Sequence, residues 1–253
     1  MLKWRLVLTT LPFMVLLVGL KLGLERFLQI GGYIKFSDIA AILTGGIFLI
    51  GFMLSGTMAD YKEAEKLPGE LVCALEAIEE GLGHISRSKQ NIQLTEVRSL
   101  VMDLYKSIED WLYRRTKSDK VFENISALST NAQTLDATAL GVRVQNDLSS
   151  VRKMVTRIDV ISRTDFLASG YALMDIVVGL VVLILLVVKF DTILSEVLLT
   201  SFVSFIYVYM NRLIRDIDDP FEYEDGAQQG AAEVELFPLV EYSQRLQSRL
   251  NQQ

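Results

Sequence analysis

The sequence predicts an all-α membrane protein with four transmembrane helices and a helical cytoplasmic region. Four apolar stretches each have the ~20 residues that a helix needs to cross a bilayer. They are apolar around the whole helix, most plainly at Ile176–Val188, whereas a soluble helix buries only one face. They also form two hairpins on either side of a charged middle section. These three observations define the predicted fold class.

The predicted spans are 6–24 and 39–58 in the first hairpin, and 166–188 and 192–214 in the second. The first span is not expected to be a cleaved signal peptide, because Lys21, Glu25 and Arg26 follow it instead of a small-residue cleavage site. We therefore divide the chain into an N-terminal hairpin, a cytoplasmic helical region, a C-terminal hairpin and an acidic Pro-Phe turn with a C-terminal helix, at 1–62, 63–165, 166–215 and 216–253.

Basic residues predict the orientation. They gather where each span meets one side of the membrane, at Lys3, Arg5, Lys62, Lys66, Arg157, Arg163, Arg212 and Arg215. The connections on the other side are short and carry Arg26, Lys35 and Lys189. By the positive-inside rule, both termini and the middle section are cytoplasmic. We expect a multi-pass protein of a bacterial inner membrane.

The polar regions are predicted to be helical. Apolar residues recur at steps of three and four in 67–82 and 96–115, and helices are also expected at 121–135 and 140–161. The segment 234–250 is expected to form an amphipathic helix interrupted at Pro238. No segment shows sustained period-two alternation, so no strands are expected.

Composition and residue counts exclude several functions. The net charge of −6 argues against nucleic acid, which needs a basic surface. His84 is the single histidine, which argues against membrane metalloenzymes and Ser-His-Asp catalysis. Cys73 is the single cysteine, so no intrachain disulfide forms. No enzyme activity, catalytic residue or organic cofactor is predicted.

The places where the second and fourth spans reach the cytoplasm carry the informative motifs. After the second span, the residues that fall in register with a known motif are Phe52, Tyr61, Glu63, Ala64, Lys66, Leu67, Gly69 and Leu71. After the fourth span comes Asp218-Asp219-Pro220-Phe221, followed by further acids. Both strings resemble the bestrophin family of oligomeric ion channels, as a divergent member. The family's Arg-Asn-Asn is replaced by Met53-Leu54-Ser55, its tryptophans are missing, Glu222 replaces a glycine, and the middle section is not matched.

The resemblance implies a homopentamer that passes small ions through an axial pore. Chloride is favoured, as the commoner behaviour of the family, and a cation is the alternative that Asp60 and the C-terminal acids support. Thr44, Phe48 and Phe52 are spaced i, i+4, i+8 and form one stripe along the second span. The resemblance places the hydrophobic pore neck at this stripe. The alternative is packing against a neighbouring helix, with Gly45, Gly46 and Gly51 allowing close approach.

Charged residues provide the remaining candidate sites. Asp60, Lys62 and Glu63 are expected to line a vestibule or to form intersubunit ion pairs. The acidic turn comprises Asp216, Asp218, Asp219, Pro220, Phe221, Glu222, Glu224 and Asp225. It is interpreted either as a solvated linker with Phe221 as a buried anchor, or as a weak Ca²⁺ site formed by Asp218, Asp219, Glu222 and Asp225.

Two acids fall within the spans themselves. Asp175 lies inside the third span and is expected to face a cavity or a partner, or else to reach the interface. Glu196, near the far end of its helix, is expected to reach the interface.

A different class of function stays open. A non-conducting membrane scaffold or signalling protein, whose cytoplasmic helices dock partners, would explain the long middle section. A proton-coupled transporter that uses Asp175 has weaker support, since no internal repeat is visible. The expected partners are the lipid bilayer, further copies of the chain and small inorganic ions.

Overall fold

The computed structural model describes residues 4–27, 34–88, 93–135, 139–224, 227–228 and 230–251. Its longer elements are helices α1 Arg5–Phe27, α2 Ala40–Ala64, α3 Leu67–Ser88, α4 Leu94–Leu112, α5 Ser118–Leu135, α6 Ala139–Ile161, α7 Ala168–Val187, α8 Ile193–Asp218 and α9 Phe237–Asn251. The short elements are a 3-10 turn and strands β1 Ile34–Lys35, β2 Val188–Lys189, β3 Tyr223–Glu224 and β4 Ala227–Gln228. The 3-10 turn, Phe36–Ile39, leads directly into α2.

The chain forms two compact units. The membrane unit consists of Met1–Tyr61, Asp165–Asp219 and Gly230–Ala232, and the bundle unit of Lys62–Thr164, Pro220–Gln229 and Glu233–Gln253. The sequence placed the same divisions at 62/63, 165/166 and 215/216. The boundaries after Tyr61, Thr164 and Asp219 therefore lie within a few residues of the predicted divisions, whereas the inclusion of Gly230–Ala232 in the membrane unit was not predicted.

The membrane unit contains four helices that are long and apolar enough to cross a membrane, namely α1, α7, α8 and the helical stretch that includes α2. Helix α8 packs on both α1 and α7. The core of the membrane unit is centred on Met53, Met174, Leu185, Tyr207 and Ile214. Most of the apolar surface of these helices is exposed in the chain, because a span buries its apolar side chains in lipid or against other subunits.

The bundle unit is built around α3. Helices α4, α6 and α9 pack against it, and α5 packs against α4 and α6. The predicted core positions of α3, including Leu71, Leu75, Ile78 and Leu82, are buried. The bundle therefore follows the three-four apolar periodicity from which its helices were predicted.

The expectation that there are no strands is wrong. β1 pairs with β2 in parallel, with Ile34 opposite Val188, and β3 pairs with β4 in an antiparallel ribbon. Each strand has two residues, which is too short for an alternating pattern to register in the sequence. The strands tie connections together and do not form a sheet core.

The fourth span, predicted at 192–214, corresponds to α8, which continues to Asp218. One predicted helix boundary needs correction. The C-terminal helix was expected from 234 with an interruption at Pro238, but α9 starts at Phe237. Pro238 thus lies in the first turn of the helix, where its missing N–H is not needed.

Candidate pore and membrane-exit residues

The stripe predicted as the pore neck lies on the exposed face of α2. Phe48 is 78% exposed and Phe52 is 55% exposed, and Thr44 is exposed beside them. The Thr44 hydroxyl donates to the Ala40 carbonyl oxygen at 2.9 Å. The three side chains therefore share one surface of the helix, as the i, i+4, i+8 spacing requires.

The opposite face of α2 is packed inside the membrane unit. Ile50 and Met53 are buried there. A Cβ placed on Gly46 would lie 2.6 Å from the Tyr207 hydroxyl oxygen, so the side chain of Tyr207, from α8, lies directly against the backbone of α2 at this glycine. The Tyr207 hydroxyl donates to the Leu43 carbonyl oxygen. Close packing thus uses the Gly46 face of the helix.

The packing alternative for the stripe does not hold within the described chain. A Cβ on Gly45 or Gly51 would meet nothing within 4 Å among the residues that the structure describes. Of the three glycines expected to allow close approach, Gly46 alone does so among these residues, and it lies on the face away from Phe48. The stripe is left for water, lipid or another subunit.

The charged residues at the exit of α2 are distinguished by their contacts. Glu63 forms a bidentate pair with Arg157 of α6, at 2.8 Å from Nε to Oε1 and 2.5 Å from Nη2 to Oε2. The carboxylate of Glu63 is thus engaged within its own chain, and its expected place in a vestibule or at a subunit interface stays a prediction. Lys62 is exposed and Asp60 is half-buried.

The acidic run after the fourth span is not a single turn. Asp216 and Asp218 lie in the last turns of α8. The Asp216 carboxylate accepts from the backbone N–H of Ala231 at 3.1 and 3.2 Å. The Asp218 carboxylate accepts from the N–H of Phe166, with both oxygens at 3.3 Å. These two carboxylates thus bind backbone of the membrane unit, which corrects the view of the run as a solvated linker.

Beyond α8 the run enters the bundle unit. Pro220 is buried, and Phe221 is 3% exposed, as expected for an anchor. Glu222 is half-buried. Asp225 lies outside the described residues, as does the side chain of Glu224. In the part of the chain that the structure describes, no three His, Cys, Asp or Glu side chains are grouped so that they could hold a metal ion.

Asp175 has a partner on the neighbouring helix. Its Oδ2 lies 2.6 Å from Nη2 of Arg215, and its Oδ1 accepts from Asn211 Nδ2 at 3.1 Å. The Arg215 guanidinium also lies over the Tyr171 ring, 5.0 Å from its centroid. The acid of the third span is therefore paired with a cation near the end of the fourth, and both side chains are about half exposed.

A buried ion pair in the membrane unit was missed from the sequence. Lys21 of α1 is 2% exposed and Glu196 of α8 is 6% exposed, with 3.6 Å between Nζ and Oε1. Lys21 Nζ also donates to the carbonyl oxygens of Leu185 and Val188, at 2.7 and 2.8 Å. Glu196 is therefore buried beside Lys21 within the unit, and its expected position at the membrane interface stays a prediction.

The ammonium of Lys21 extends this cluster towards the start of α2. It lies 4.8 Å from the centroid of the Phe190 ring, and that ring lies 5.5 Å from the ring of Phe36. The only sequence signal was a lysine inside an apolar run and a glutamate in the first turn of the last span. Neither signal indicates that Lys21 and Glu196 pair with each other.

Comparison with known proteins gives one kind of match. No family model matches the sequence, and no curated protein matches it. Among solved structures, the chain is similar to a bacterial bestrophin homolog from Klebsiella pneumoniae, with a TM-score of 0.75 and 14% identity over 94% of this chain and 97% of that one. A variant of that homolog gives a TM-score of 0.72 and 13% identity, over 100% and 99% of the two chains. A crystal structure of a variant of a membrane protein gives a TM-score of 0.74 and 12% identity, over 99% of both chains.

The fold and the apolar helices define an all-α integral membrane protein with four candidate spans. More particularly, the chain has the fold of the bacterial bestrophin homologs over almost its whole length. The resemblance inferred from the two exit motifs is thus confirmed at the level of the fold. The middle section, which the motifs did not match, is part of the same fold.

Proposed function

We propose that the protein is an oligomeric ion channel in which Phe48 and Phe52 form a hydrophobic neck on an axial pore. The observation that carries this proposal is the exposed face of α2. Two large aromatic side chains stand there among small or hydroxyl-bearing residues that are also exposed, namely Ala41, Thr44, Gly45, Gly51, Ser55 and Ala59. The fold that the chain shares with bestrophin homologs supports the same assignment.

The composition of this face differs from that of the other spans. The exposed face of α7 carries large aliphatic side chains, including Leu173, Ile176, Leu180 and Leu183, as expected for contact with lipid. Small residues on a span instead favour close approach of another helix, and a narrow ring of phenyl groups gates ions by dewetting. The α2 face therefore suits the inside of a ring of subunits better than it suits a lipid surface.

The finer parts of the proposal come from the resemblance and from charge. Five copies of the 28.5 kDa chain would enclose the pore, and chloride is the favoured ion, with a cation as the alternative. The bias of lysine and arginine towards one side supports a cytoplasmic location for the bundle unit and both termini, in a bacterial inner membrane.

The test is conductance of the purified protein in planar bilayers. Replacing Phe48 and Phe52 by alanine should raise the current at a given voltage, because the wider neck stays wet. Phe202→Ala is the matched control, since Phe202 is an exposed phenylalanine of α8. An unchanged current in the double variant would refute the neck. The reversal potential in a KCl gradient gives the sign of the permeant ion, and addition of EGTA tests for a Ca²⁺ requirement.

Mass in detergent tests the assembly. A monomer or dimer cannot enclose an axial pore, and that result would favour the scaffold alternative. From the sequence, the length of the middle section favoured a scaffold whose cytoplasmic helices dock partners. However, solved bestrophin homologs align over 94–100% of this chain, so a section of this length is common to the fold and does not by itself indicate a docking domain.

A further inference from the structure

A pocket in the bundle unit, separate from the proposed pore, has the features of a ligand site. It lies between the connection from α4 to α5 and the end of α6, and its volume is about 360 Å³. Binding sites for small molecules have volumes of roughly 300–1,000 Å³. The pocket is thus large enough for a small metabolite.

The charged side chains around this pocket are mostly cationic. Arg114, Lys117 and Arg163 line it, and Asp159 is the one carboxylate among the lining residues. The chain as a whole carries a net charge of −6, so this excess of positive charge runs against the composition. Clustered cations with a cavity between them favour an anionic ligand.

One of these cations is held in a defined orientation. Arg163 donates from Nε to Asp159 Oδ1 at 3.0 Å and from Nη2 to Ser118 Oγ at 3.2 Å. Because Nε and Nη2 both contact Asp159, at 3.0 and 2.8 Å, the group of this guanidinium that can donate to an anion in the pocket is Nη1. Fixing the guanidinium in advance lowers the entropic cost of binding such an anion.

Further hydrogen-bond donors line the same pocket. Thr116 Oγ1 is buried and has no hydrogen-bond partner among the residues that the structure describes, although the side chain lines the pocket. A buried hydroxyl without a partner is costly, and a bound oxygen would satisfy it. Helix α5, which has 18 residues, begins at Ser118 beside it, and the N-terminus of a helix attracts anions.

The remaining wall is apolar. Trp111, Ile158 and Phe221 also line the pocket, and Ile158 and Phe221 are buried. The volume exceeds what a bare phosphate would fill, and the half-exposed indole of Trp111 offers a flat surface for a ring. We propose that this pocket binds a small phosphorylated metabolite that contains a ring, of the size of a mononucleotide.

The protein carries its own reporter for this ligand. Its two tryptophans are Trp4 and Trp111, so a Trp4→Phe variant leaves a single indole, which lies in the pocket. Titrating the full-length variant in detergent with AMP should change its fluorescence saturably. Adenosine, which lacks the phosphate, should cause no saturable change, and inorganic phosphate should bind more weakly than AMP because it cannot contact the apolar wall.

A pair of charge reversals tests the assignment of the site. In the Trp4→Phe background, Lys117→Glu should weaken AMP binding by at least about tenfold, as expected for loss of a charged hydrogen bond. Lys153→Glu makes the same charge change at an exposed position of α6 outside the pocket and should leave the affinity within about twofold, because a screened distant charge contributes little. Both side chains are exposed, so both variants should fold.

Two results would overturn the proposal. One is the absence of any saturable fluorescence change up to ~10 mM AMP, beyond the usual micromolar-to-millimolar range for metabolites. The other is equal affinity in the two charge-reversal variants. Neither result depends on whether the protein conducts ions.

Discussion

Replacing Lys21 by methionine should destabilise the membrane unit. Methionine keeps an unbranched apolar stem of similar length but removes the ammonium. Loss of the ammonium leaves the buried carboxylate of Glu196 without the cation that lies 3.6 Å away. It also removes the donor to the carbonyl oxygens of Leu185 and Val188, at 2.7 and 2.8 Å. An uncompensated buried charge and two unsatisfied acceptors remain.

The size of the effect follows from these contacts. Removing one partner of a buried ion pair costs about 3–5 kcal/mol. Hydrogen bonds between membrane helices contribute only about 0.6 kcal/mol each on average. Because polar contacts between spans contribute this little, we take the destabilisation by Lys21→Met to lie near the lower end of that range, at about 3 kcal/mol. For a chain of this size, 1 kcal/mol corresponds to a shift of about 2–4 °C in Tm. We therefore expect Lys21→Met to lower Tm by about 6–12 °C.

The double variant Lys21→Met/Glu196→Gln isolates the pair. A neutral amide at 196 is less costly to bury than an unpaired carboxylate, so the double variant should be more stable than the sum of the two single effects predicts. The assay is loss of monodisperse protein in detergent as temperature rises. Lys189→Met, at an exposed position of β2 next to Val188, is the control. A shift below ~2 °C for Lys21→Met, or single effects that add within ~0.5 kcal/mol, would refute the reasoning.

Two further predictions test the packing of each unit. In the membrane unit, Gly46→Ala should lower Tm because the new Cβ would lie 2.6 Å from the hydroxyl oxygen of Tyr207. Gly45→Ala is the control and should leave Tm unchanged, since no described atom lies within 4 Å of a Cβ at that position. Equal melting temperatures of the two variants would contradict the close contact at Gly46. In the bundle unit, Glu79→Gln should release α9 to limited proteolysis, because the carboxylate of Glu79 binds one arginine of α4 at 3.2 Å and one of α9 at 2.6 Å. Glu80→Gln, one residue along on the exposed face, is the control, and the same cleavage rate in both variants would show that this pair does not hold α9.

Local patterns in the sequence were sufficient to predict the helices. A span must be apolar over about 20 residues because lipid offers no partner to polar groups, and a bundle helix must place apolar residues every three or four positions. Both constraints act within one element, so they can be read without knowing its neighbours. This is why α3, with Leu71, Leu75, Ile78 and Leu82 buried as expected, was predicted from its correct first residue.

Contacts between distant elements were not predictable in the same way. Glu63 was recognised as part of a motif, yet nothing near it in sequence indicates that its partner is Arg157, which is 94 residues away. Lys21 was seen as a charge that follows an apolar run, although it lies within α1 and is buried. In each case one side chain is evident from the sequence, and the partner follows only from the way the helices pack.

The acidic run after the fourth span shows how the same residues can suggest the wrong structure. A series of aspartates before a proline is typical of an exposed turn, and carboxylates at the C-terminal end of a helix oppose its dipole. Both rules disfavour aspartates in the last turn of a helix. The structure removes the conflict because Asp216 and Asp218 accept from the backbone N–H groups of Ala231 and Phe166. Phe166 precedes the first turn of α7, where N–H groups lack partners within the helix, so Asp218 joins the end of the fourth span to the start of the third. A carboxylate used in this way contributes to the packing of the membrane unit whether or not a cation is bound nearby.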